Sequence, residues 1–165
     1  MAKIKSLEIP REISFTGEPS GPAYKRLLDF AKIQCTEFSL VWRDDLGNKK
    51  AENEIAKELQ TFLVAETRTN KWPGTEIFNG TADLCTYELN QDTAKVLATA
   101  NRLYQWEAPE FPEDLAFYIR QGRVWLSTVA HEQMGWLNTE SIDKSQLEII
   151  LSFLYSNGIT NKKYL

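Results

Sequence analysis

Leu115-Ala116-Phe117-Tyr118-Ile119-Arg120, then Gln121-Gly122, then Arg123-Val124-Trp125-Leu126-Ser127-Thr128-Val129-Ala130 is the stretch that decides the fold. Two runs rich in aromatic and branched residues flank a two-residue loop, and its glycine accepts the positive φ that such a loop demands. Strands this close in sequence cannot be joined by a parallel crossover, so the sheet is at least partly antiparallel. The turn also predicts the register. Ile119 faces Val124, Phe117 faces Leu126 and Leu115 faces Thr128 on the core side. The other side then carries Tyr118 opposite Trp125 and Ala116 opposite Ser127.

Upstream of the hairpin, helical and alternating patterns take turns. Tyr24, Leu27, Leu28 and Ala31 lie on one face of a predicted helix from Ala23 to Gln34, with Pro22 suited to its first turn. Glu37 to Arg43 alternates as a half-buried strand, with Phe38, Leu40 and Trp42 pointing one way. Ile55, Ala56, Leu59, Phe62 and Leu63 predict a second helix from Ala51 to Leu63. Ala82 to Leu89 reads as a strand, and Asn90 as the cap of a third helix whose apolar face runs from Val96 to Tyr104. Downstream, Asp143 caps a last helix carrying Leu147, Ile150, Leu151 and Leu154, which Gly158 ends.

These elements predict an α+β fold: a small, at least partly antiparallel sheet with about four helices packed mainly on one face. A chain of 165 residues fits a single domain over 1–165. Lys3 to Phe15, broken by Pro10, is expected to be an edge strand or an arm within a segment reaching residue 20, and 160–165 a flexible tail.

Composition narrows the function classes. The hydrophobic share is 42% and the charged share 25%, which argues against disorder. The formal net charge of −4 speaks against nucleic acid and anionic membranes as partners. No apolar run is long enough to span a bilayer, and the N-terminal stretch has no secretory pattern, so a cytoplasmic address is expected. Cys35 and Cys85 lack metal or redox spacing and are expected to be buried thiols. Charge is uneven: residues 1–50 hold 9 Lys/Arg against 7 Asp/Glu, and residues 51–165 hold 10 against 16.

Motifs for chemistry are sparse. The single histidine, His131, excludes sites that need two histidine ligands, and Gly135 stands where the second histidine of H-E-x-x-H would be. No phosphate-binding loop is present, so no cofactor and no metal are expected. If the chain is an enzyme, it is a small hydrolase or transferase centred on His131, with Ser127 and Glu132 nearby and Cys85 as a further helper. A histidine titrates near neutrality, which suits general-base work. That reading predicts a concave pocket at the end of the hairpin.

Two surfaces suggest binding instead. Glu107-Ala108-Pro109-Glu110-Phe111-Pro112-Glu113-Asp114 carries four acids and no base around one phenylalanine. Prolines stiffen such a loop and lower the entropy lost on docking. Its acids (Glu107, Glu110, Glu113 and Asp114) would steer one basic protein partner, with Phe111 as the anchor. Tyr118 and Trp125 form the second surface, exposed if the helices cover only the opposite face.

Trp72-Pro73-Gly74-Thr75, Pro112-Glu113-Asp114-Leu115-Ala116-Phe117-Tyr118 and Ala130-His131-Glu132 resemble segments of small bacterial proteins of the toxin-immunity type. The resemblance spans the central and C-terminal half. It implies a cytoplasmic inhibitor that binds a toxin domain, often a basic nuclease, and it transfers no site residues.

Overall fold

The computed structural model describes residues 8–120 and 122–164. Its seven-stranded sheet has the order β1-β9-β8-β7-β2-β6-β3. In chain order the strands are β1 (Glu12–Ser14), β2 (Glu37–Trp42), β3 (Leu63–Thr69), β6 (Ala82–Glu88), β7 (Glu113–Arg120), β8 (Arg123–Val129) and β9 (Met134–Asn138). A separate small hairpin pairs β4 (Lys71–Trp72) with β5 (Thr75–Glu76). Every neighbouring pair in the large sheet is antiparallel. With four α-helices among the described residues, this is the expected α+β class.

The helix α1 (Pro22–Gln34) matches its apolar stripe and buries Tyr24, Leu27, Leu28 and Ala31. These meet Phe38, Leu40 and Trp42 of β2 in the main core. Burying such a side chain contributes roughly 1.5–3 kcal/mol. The opposite face of β2 is covered too: Val41 packs with Trp72 and Ala82 in a second, smaller cluster. The β4–β5 hairpin therefore lies over the face that the helices leave open.

Two predicted helices are shorter than their stripes. α2 (Glu54–Leu59) is bounded by single 3-10 turns, and the chain then becomes β3. Asn53 starts it by accepting from the Ile55 amide at 2.9 Å. α3 (Gln91–Leu97) begins at Asn90 in a reciprocal box with Thr93, so the expected cap is present. It stops at Ala98, and Leu103 and Tyr104 reach the core through a 3-10 turn instead. α4 (Lys144–Ser156) ends before Gly158, whose φ is 69°. Asp143 precedes it as expected, but its carboxylate accepts the Ser145 hydroxyl and not a helix amide.

The first segment is an edge strand from Glu12, with Ile13 opposite Leu137 on β9; residues 1–7 of the expected arm lie outside the described residues. The Thr16 and Gly17 amides donate to the Ile159 carbonyl at 2.8 and 3.0 Å. Beyond it lies the segment 160–165, expected to be a flexible tail. Thr160 is buried and Tyr164 packs on the core, while Leu165 lies outside the described residues.

The hairpin keeps its expected register at Phe117–Leu126 and Arg120–Arg123, but Tyr118 faces Val124 between them. One extra residue on each strand, Trp125 and Ile119, accounts for the slip. This corrects two expectations: Ile119 does not face Val124, and Tyr118 with Trp125 is not an exposed pair. The indole of Trp125 turns into the main core, edge-on to Phe117 with ring centroids 6.2 Å apart. Tyr118 is buried and shares a 2.8 Å hydrogen bond with Ser39. β7 and β8 are interior strands, and the chain covers both of their faces here. No helix among the described residues is long and apolar enough to cross a membrane.

Candidate functional site

The site begins with an irregularity in β7. Between Ser39–Ala116 and Val41–Glu113 the pairing with β2 slips by one residue. Asp114 sits there with φ at 56°, a left-handed conformation that aspartate tolerates better than most residues. Successive strand residues normally point to opposite faces. At this bulge they do not: one carboxylate oxygen each from Glu113 and Asp114 and a ring nitrogen of His131 lie within 4.8 Å of one another.

Asp114 organises the surroundings. One oxygen accepts from the Trp72 indole N–H at 2.8 Å, the other from the Ala130 amide at 3.0 Å. The first bond ties the β4–β5 hairpin to the sheet. The second fixes the 3-10 turn Ala130–Glu132 that follows β8 and carries His131. Burial pushes the Asp114 carboxyl above its usual range, against the pull of those two donors.

Glu113 is 2% exposed. Its Oε1 accepts from the Ala108 amide at 3.4 Å. Its Oε2 is buried with no hydrogen-bond partner among the described residues. The nearest cation, Arg43 Nη1, stands 3.8 Å away, and the guanidinium is oriented by Asp45, to which its Nε and Nη2 donate at 2.9 and 2.7 Å. Burial, then the charge of Asp114, raise the Glu113 carboxyl. Arg43 also sits 5.6 Å over the Trp72 ring.

Above this floor opens a cavity of about 690 Å3 whose lining includes Glu76, Glu107, Glu113, His131 and Glu132 as well as Arg43. Four carboxylates thus face one guanidinium and one imidazole. The His131 side chain is 45% exposed, with Nε2 3.7 Å from Glu132 Oε1.

The residues singled out from the sequence divide sharply. His131 and Glu132 line the cavity, and so do Glu107 and Glu113. Asp114 lies buried beneath it. Glu110 is exposed but is not part of the lining. Phe111, expected to be an anchor for a partner, packs edge-on against Trp106 at 5.2 Å instead. Ser127 faces Trp136 across β8 and β9, outside the lining. Cys85 is buried on β6, and burial pushes its thiol up to about 11, so it is no activated nucleophile. Arg43, Trp72 and Glu76 were not foreseen as site residues. The join between acids and histidine was in reach: continuing the hairpin register places Glu113 and Asp114 beside Ala130 and Val129, next to His131. No protein-family model, no curated protein and no solved structure matches the chain.

Proposed function

We propose that the protein is a binding protein whose site is this acid-lined cleft, and that it takes a positively charged side chain from a basic protein partner. The observation that carries the reading is the buried Glu113 Oε2, which has no hydrogen-bond partner among the described residues and belongs to a side chain lining a cavity that Glu76, Glu107 and Glu132 also line. A lysine or arginine inserted there would give that oxygen a charge-assisted hydrogen bond. The rim acids would speed encounter. The resemblance to toxin-immunity proteins supplies the class of partner, a basic toxin domain met in the cytoplasm. The acidic segment 107–114 keeps a part in this reading, through the cleft wall and not through Phe111.

A titration of the isotope-labelled protein with a short arginine-rich peptide tests it. Amide shifts should gather at Gly74, Ala108 and His131, weaken with salt, and disappear in Glu113→Gln. Shifts elsewhere, or shifts unchanged in that variant, would overturn the reading.

A second reading is favoured by the cavity beside His131, the feature that a hydrolase or transferase centred there requires. His131 would take a proton from water or a substrate hydroxyl, with Glu132 beside it and without Ser127 or Cys85. Turnover of a screened ester or phosphoester that survives His131→Ala would end that reading.

A further inference from the structure

We infer that Glu113, Asp114 and His131 form a binding site for one divalent transition-metal ion of the zinc class. The inference goes beyond the partner reading and does not rest on it. Two carboxylate oxygens and one imidazole nitrogen are a donor set that suits zinc and its neighbours, and three protein ligands leave a coordination position open to water. The three ligand atoms already lie within 4.8 Å of one another.

The second observation is independent of that grouping. Glu113 is 2% exposed, and its Oε2 has no hydrogen-bond partner among the described residues. A buried carboxylate oxygen without a donor costs free energy that an ion would return. Arg43 Nη1 at 3.8 Å is too far to donate to it, and Asp45 fixes the guanidinium through its Nε and Nη2.

The surroundings have the form of an outer shell. Trp72 and the Ala130 amide each hold one oxygen of Asp114, which orients the carboxylate and leaves a lone pair free on each oxygen. His131 approaches from the open side, so an ion has a path in from the cavity. The bulge at Asp114 turns two consecutive carboxylates toward one point, which a regular strand does not do.

The test uses the full chain, free of any histidine tag and stripped with a chelator. Zinc chloride is added while the ring resonances of the chain's single histidine are followed by NMR, and affinity is measured by competition with a chromophoric chelator. The expected result is one equivalent of zinc, a shifted His131 ring, and a loss of affinity of at least about 10-fold in both Glu113→Gln and His131→Ala. Glu148→Gln, exposed on α4 and outside the cavity lining, should bind as wild type does. His131→Ala alters a half-exposed side chain and keeps the test valid if Glu113→Gln fails to fold. A His131 ring unmoved by saturating zinc, or binding that survives His131→Ala, would overturn the inference. Because arginine-peptide binding is measured on the stripped protein, failure here leaves that reading standing, and its failure leaves this one.

Discussion

Glu113 sits under a strain that its neighbours only partly relieve. Burial and Asp114 both raise its carboxyl, while the Ala108 amide, then Arg43 and His131, pull it down less strongly. Asp114 is raised as well, again by burial first. A carboxyl whose folded pKa lies above its unfolded one binds more protons in the native state between those two values. Stability of the stripped protein should therefore fall as pH rises from the ordinary carboxylate range through the raised folded pKa, and then level off. Glu113→Gln should flatten that fall and raise Tm at neutral pH; thermal melts across a pH series check this. Asp114 is different, because it holds two donors. Asp114→Ala orphans the Trp72 indole and the Ala130 amide, and urea denaturation should show a loss of about 2–5 kcal/mol. The acids and the histidine were each visible in the sequence. Their convergence depends on the backbone of Asp114, and no composition or period encodes a single left-handed residue inside a strand.

At the scale of elements, the legible pieces were those with one covered face. α1 and α4 carry stripes that match their burial, whereas β2, expected to be half-buried, is covered on both faces. β3 carries no sequence signal, because residues 64–68 are exposed on both faces and leave no period to read. α3 is shorter than its apolar spacing suggests, because Leu103 and Tyr104 continue that spacing while belonging to a separate turn. Trp125 lies on the face opposite to that expected, because paired irregularities in β7 and β8 reset the alternation. Gly135 at the start of β9 marks another tight contact: a Cβ there would stand 2.8 Å from the Phe15 ring and 3.0 Å from the Tyr104 hydroxyl. Gly135→Ala should cost about 1–3 kcal/mol by overpacking, read as a lower urea midpoint with an unchanged m-value.

At the scale of the whole molecule, the cleft is assembled from four separated stretches around residues 43, 75, 108 and 131. Such a site cannot be read along the chain, since it exists only when β4–β5 closes over the sheet. A metal ion and a basic side chain would meet the same oxygen of Glu113. Zinc should therefore weaken binding of the arginine-rich peptide, and a competition titration should show the apparent Kd rising in proportion to zinc above its own dissociation constant. Peptide affinity indifferent to bound zinc would mean that the two occupy different places.

The pairing of β1 with β9 sets an order of events when the protein is made. Glu12–Ser14 leave the ribosome before every other strand of the sheet, and their partners at Trp136–Asn138 follow only after the rest of it has been synthesised. At about 5–20 residues per second, that interval is on the order of ten seconds. For that time Ile13 has no Leu137 to face, and β1 cannot find its partner until β9 has been made.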